Sequence, residues 1–143
     1  MLKRTLKGHA YMQAYIETYD DGNREVLVSY TTGVVFKANA SALEKDFYGR
    51  PLNAIAAYWC SGLYSNTTIK HISLYCRENG ISYYDLKLIA NTQWYLLVLP
   101  EQNPYKRYYY NPHTGKIFEV NTVQKPSYYK KVRKYLIENQ YRK

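Results

Sequence analysis

The stretch WYLLVLP, residues 94–100, is apolar on both of its alternating faces and is closed by a proline. Strand side chains point alternately to the two faces of a sheet, so a short run with no polar alternation reads as a central strand covered on both sides. Pro100 has no N–H to give to a ladder and stops it. Downstream, residues 105–110 and 116–120 flank Asn111-Pro112-His113-Thr114-Gly115, turn formers that end in glycine and predict a hairpin. After Pro126, Ser127 reads as an N-cap, with Tyr128, Val132, Tyr135 and Leu136 as the inner stripe of a final helix. The other face of that helix holds Lys130, Lys131, Arg133 and Lys134.

Upstream, residues 11–18 alternate as a strand, 19–23 carry turn chemistry, and 24–30 return as its partner. Gly33, inside the β-rich run 31–37, predicts a bulge or sharp bend. Residues 39–51 show no period and read as a long connection. Residues 52–60 suit a buried strand, although their alanines suit a helix as well. Small polar side chains at 65–68 open a helix on which Ile69, Ile72 and Cys76 follow at helical spacing, and Asn79-Gly80 closes it. Ser82 to Asp85 repeats the start signal at capping-box spacing, predicting a second short helix over 83–90. The expectation is one α+β domain over residues 1–143: an antiparallel sheet of hairpins and a central strand, two or three helices packed on one side, and a basic C-terminal helix.

A chain of 143 residues can bury a core without disulfides or metals. Its apolar runs fall far short of the roughly 20 residues that span a bilayer, and the N-terminus has bases without an apolar signal region. These features predict a cytoplasmic protein with no membrane partner. Cys60 and Cys76 sit in packing contexts and read as reduced thiols, with a lone disulfide as the alternative.

The formal charge of +9 is concentrated at the two ends. Residues 10–124 carry ten bases and ten acids, whereas residues 1–9 contribute Lys3, Arg4 and Lys7, and residues 125–143 hold seven bases against Glu138. A solvated helix face normally mixes signs, so a one-signed face points to an acidic partner such as nucleic acid. The 19 tyrosines suit pleated strands first and a recognition surface second. Lys106-Arg107 leading into Tyr108-Tyr109-Tyr110 places an aromatic beside a base on whichever face of the hairpin is left uncovered.

Catalysis finds little footing. His9, His71 and His113 are scattered, no spacing makes a zinc site, and there is no phosphate-cradling glycine loop or G-x-S-x-G elbow. The acids are dispersed rather than clustered for metal-dependent nuclease chemistry. No catalytic residue, cofactor or metal is expected.

Val26-Leu27-Val28-Ser29-Tyr30-Thr31-Thr32-Gly33-Val34-Val35, followed by Leu63-Tyr64-Ser65-Asn66-Thr67-Thr68-Ile69-Lys70-His71-Ile72, resembles a pattern in small uncharacterised proteins of bacteriophages and mobile elements. The pattern reads roughly L-x-S-Y-x-T-x-V-A, a short connection, then Y-S-x-T-T-x-x-H-I. This chain departs from it at Gly33 and Val35 and by a longer insertion between the halves. The resemblance implies a phage or mobile-element origin in a bacterial host and carries no assigned activity. Ser65, Thr67, Thr68 and His71 are the motif positions that would form either a strand-to-helix cap or a site.

The expected function is non-enzymatic binding of nucleic acid, or of a host ribonucleoprotein or nuclease complex that contains it. The expected contacts are Lys3, Arg4 and Lys7, the hairpin residues 106–110, the four bases of the last helix, and Arg142 and Lys143. The runner-up is a phage-encoded inhibitor of a host defence nuclease, of the anti-CRISPR type, acting through protein–protein contacts. Self-association through tyrosine-rich strands is a further option.

Overall fold

A computed structural model describes residues 1–8, 13–101, 103–121 and 126–141. The sheet is a meander of strands β1 (Leu2–Thr5), β2 (Ala14–Tyr19), β3 (Arg24–Ser29), β4 (Thr32–Asn39), β5 (Ala56–Cys60), β6 (Tyr95–Val98), β7 (Lys106–Asn111) and β8 (Lys116–Asn121). All eight pair antiparallel with their sequence neighbours, so β1 and β8 form the two edges. Helices α1 (Ala40–Asp46), α2 (Asn66–Asn79), α3 (Tyr83–Ile89) and α4 (Pro126–Glu138) complete the chain. Among the described residues no helix is long and apolar enough to cross a membrane.

The 94–100 stretch lands where its pattern puts it. In β6, Leu96 pairs with Tyr58 and Tyr109, and all three side chains join the large core that also takes Ile72, Leu86 and Leu136 from α2, α3 and α4. Leu97 points the other way and meets Ala57 and Leu43 beneath α1. The α+β architecture with three helices on one face therefore stands, with two additions. Residues 40–46, read as connection, form a fourth helix on the opposite face: Asn39 caps it by accepting from Ala42 N at 3.3 Å, and fully buried Leu43 anchors it. Residues 2–5, read only as a basic end, are an exposed edge strand whose backbone pairs with β2, while Leu6 just beyond it is buried.

Local chemistry explains the other boundaries. Gly33 sits at a bulge where Leu27 faces Val35 and Val28 faces Gly33, which leaves Val34 as the extra residue. A Cβ on Gly33 would come within 2.9 Å of the Phe36 ring, so a larger residue there requires that ring to shift. Gly80 closes α2 in the left-handed conformation at φ 69°, and Ile81 N donates to Cys76 O at 3.0 Å. Helix α4 begins at Pro126, so Ser127 lies inside its first turn instead of preceding it. Both cysteines are buried and free, and burial pushes the thiol of Cys60 up to about 11 and that of Cys76 to about 12.

The far end of α4 is tied to the sheet by polar contacts as well as packing. Trp94 Nε1 donates to Leu136 O at 2.7 Å, Gln93 N to Gln140 Oε1 at 2.9 Å, and Asn111 Nδ2 to Gln140 O at 2.8 Å. These bonds hold the end of the basic helix against the entry to β6 and the end of β7.

Candidate functional site

Between α3, α4 and the start of β7 lies a cleft of about 730 Å³. Ser82 sets the first turn of α3 by accepting from Tyr84 N at 3.2 Å. This places Tyr84 and Lys87 on one wall at a spacing of three, and α4 supplies Tyr128, Tyr129, Lys130 and Arg133 from the other. Tyr84 is 55 % exposed and packs at 5.6 Å, centroid to centroid, against both Tyr83 and Tyr129.

The floor of the cleft is a buried ion pair. Arg107 Nε donates to Asp85 Oδ2 at 2.8 Å, and the Tyr109 hydroxyl donates to Oδ1 at 3.2 Å. Burial pushes the Asp85 carboxyl above its ordinary range, and the Arg107 guanidinium pulls against that without reversing it. Among the described residues Asp85 is the only acid lining the cleft, against the cations Lys87, Arg107, Lys130 and Arg133. Its charge is already answered by Arg107, so the mouth presents a positive field.

Arg133 does two things at once. Its Nη1 donates to Leu88 O and Ala90 O at 3.0 Å each and to Lys87 O at 3.4 Å, satisfying carbonyls that α3 leaves open at its C-terminus. Among the described residues its Nε and Nη2 make no hydrogen bond.

The structure divides the residues expected from sequence. Lys130 and Lys131 are exposed on α4, without an ion pair among the described residues, and Lys134 lies 3.9 Å from Glu138. Lys106 is paired with Glu119 at 2.9 Å. Lys3 and Arg4 lie on β1, at the opposite edge of the sheet from β8. At the N-terminal end the Arg4 guanidinium is answered internally, pairing with Glu78 and lying 3.9 Å from Glu25; the Lys7 backbone N–H donates to Glu78 at 3.2 Å, and Lys3 Nζ lies 4.9 Å from the Tyr15 ring centre. Arg142 and Lys143 lie outside the described residues.

The tyrosine hairpin requires a correction. Tyr109 is fully buried beneath the helices, while Tyr108 and Tyr110 turn to the other face and pack with Phe47 and Leu97 around α1. Tyr109 is therefore core, while Tyr108 and Tyr110 are half-buried. The exposed aromatic of the cleft is Tyr84, on α3.

The segments 26–35 and 63–72 meet in the interior. Ser29 Oγ lies 2.8 Å from His71 Nδ1 and 3.1 Å from Thr68 Oγ1, and Ser65 Oγ lies 3.2 Å from Thr68 Oγ1. Ser29, Thr68 and His71 are 4 % exposed or less, so this hydroxyl–imidazole pair has no opening to a substrate and acts as a polar joint between β3 and α2. Thr67, half-buried, stands outside this set of bonds. Ser65 is the N-cap, accepting from Thr68 N at 3.2 Å. Ser65→Ala is expected to lower stability by roughly 0.5–2 kcal/mol in a urea titration, without changing affinity for a polyanion.

Tyr84, Lys87, Tyr128 and Tyr129 were not among the binding residues expected from sequence. The only advance signal was the spacing of Tyr84 and Lys87 on a predicted helix, in a segment with no excess charge. No family model, no curated protein and no solved structure matches this chain.

Proposed function

We propose that this protein binds nucleic acid without catalysing a reaction on it, through the cleft between α3 and α4. The observation that carries the reading is the lining of that cleft: Lys87, Lys130 and Arg133 stand beside an Asp85 carboxylate already paired with Arg107, with tyrosine rings at the mouth. Phosphate contacts supply affinity and aromatic faces supply stacking, which is the combination sequence-tolerant nucleic-acid binders use. The resemblance to small bacteriophage proteins supports a phage or mobile-element setting. A non-catalytic role is supported by Asp85 being engaged by Arg107 and Tyr109, and by the inaccessibility of the Ser29–His71 pair.

The test is fluorescence anisotropy of a labelled oligonucleotide across a salt series. Lys130→Gln with Lys131→Gln is expected to weaken binding and to flatten the log–log salt slope by about 0.7 per lost phosphate contact on single strands, or about 0.9 on duplex DNA. An unchanged slope removes these lysines from the interface. If free nucleic acid does not bind and a host nuclease co-purifies even after nuclease treatment, the inhibitor reading replaces this one.

A further inference from the structure

The cleft does not stop at α3. A second hollow of about 450 Å³ lies beyond it, bounded by the loop Ser61–Tyr64 and by Ala90 and Asn91, and it shares Lys87 and Arg133 with the first as a common wall. At its far side Tyr64 is 63 % exposed. That ring is held from below. Its hydroxyl lies 2.8 Å from Ser61 Oγ, and it rests so closely on Gly62 that a Cβ there would come within 3.2 Å of the ring. Tyr64 also takes a left-handed backbone at φ 57°, which fixes the direction in which the ring leaves the chain.

Two exposed, supported rings thus flank a pair of cations. From Tyr84 to Ala90 the chain follows α3 and its C-cap for six residues at ~1.5 Å each, about 9 Å, and Tyr64 lies beyond that point. The track is therefore at least about 9 Å long, room on the order of two to three nucleotides even at the ~3.4 Å per-strand charge spacing of a duplex. Among the described residues Lys87 has no ion pair, and the Nε and Nη2 of Arg133 make no hydrogen bond.

We infer that this groove is a single-strand track, in which one base stacks on Tyr84 and another on Tyr64 while Lys87 and Arg133 hold the phosphates between them. The inference rests on the nucleic-acid reading above and adds a choice to it. A base face is available to a ring only when the base is unpaired, so a duplex reaches Lys130 and Lys131 through its phosphates but does not engage Tyr64.

The experiment uses labelled dT12 and a 12-base-pair hairpin duplex as probes, with the full chain and its variants Tyr64→Ala, Tyr64→Phe and Tyr84→Ala, each checked by thermal melting. The wild type is expected to prefer dT12. Each alanine variant is expected to lose about fivefold to 150-fold in dT12 affinity, the span of one stacked base, with little change on the duplex and an unshifted melting curve for Tyr64→Ala. Tyr64→Phe keeps the ring and is expected to bind within about twofold of wild type, since stacking uses the ring face and not the hydroxyl. If Tyr64→Ala binds dT12 as well as wild type while Lys130→Gln with Lys131→Gln still weakens both probes, the track is wrong and the nucleic-acid reading survives. A Tyr64→Phe loss as large as that of Tyr64→Ala also overturns stacking. If neither probe binds the wild type, both readings fall together.

Discussion

Trp94→Ala is expected to cost about 3–5 kcal/mol of stability, the range for truncating a fully buried tryptophan, and to release α4 before the rest of the fold unfolds. Trp94 has no exposure, fills the core beneath α4, and donates its indole N–H to Leu136 O in the last turn of that helix at 2.7 Å. Truncation therefore opens a cavity and leaves the Leu136 carbonyl without its donor. Trp94→Phe keeps much of the bulk and loses only the bond and the second ring, so its cost is expected to be clearly smaller. Urea titration measures both, and limited proteolysis within residues 126–141 reports undocking of α4. A loss below about 2 kcal/mol for Trp94→Ala would mean that the site collapses around the missing ring, and that Gln93, Asn111 and Gln140 suffice to hold the helix.

The same residue shows how far sequence reading reaches. The 94–100 stretch could be placed because a strand lacking polar alternation has one stable environment, and Leu96 and Leu97 indeed enter cores on opposite faces. The ends of α2 were legible for a related reason: Ser65 and Gly80 satisfy orphan backbone groups with chemistry that depends only on near neighbours. Helix α1 was not legible. Seven residues have little intrinsic helicity, and what holds Leu43 is a second sheet face formed by Ala57 and Leu97, far away in sequence. Strand β1 escaped because all four of its side chains are exposed, so it forms by backbone pairing without an apolar pattern.

For the site, charge patterning found α4 and could not sort its members. Lys130 and Arg133 look alike in sequence, yet one is exposed and the other caps α3 through three carbonyls. In the same way, alternation in β7 separated Tyr109 from Tyr108 and Tyr110, but which side was core depended on α1, whose existence the pattern did not reveal. Functional residues that are defined by what they do not pair with become visible only after every partner has been placed.

Arg107, expected from sequence to touch a ligand, is instead expected to behave as a structural cation. Arg107→Ala would strand the Asp85 carboxylate, which is 6 % exposed and then keeps only the Tyr109 hydroxyl. Removing one partner of a buried pair typically costs about 3–5 kcal/mol, because the remaining charge is left uncompensated. The pH dependence identifies the cause. In the wild type, burial already raises the folded-state affinity of Asp85 for a proton, so its contribution is fully present below the unfolded value and is lost as pH rises through the folded one. Without Arg107 the folded value rises further. The stability gap between wild type and variant is therefore expected to be largest at neutral pH and to narrow as the solution is acidified towards the unfolded carboxyl range of ~3.9, where a protonated Asp85 needs no counter-charge. Adding Asp85→Asn to Arg107→Ala removes the stranded charge while keeping an acceptor for Tyr109, and most of the neutral-pH loss is expected to return. If Arg107→Ala instead melts like wild type and loses nucleic-acid affinity, the guanidinium serves the ligand, and the floor of the cleft belongs to the binding surface.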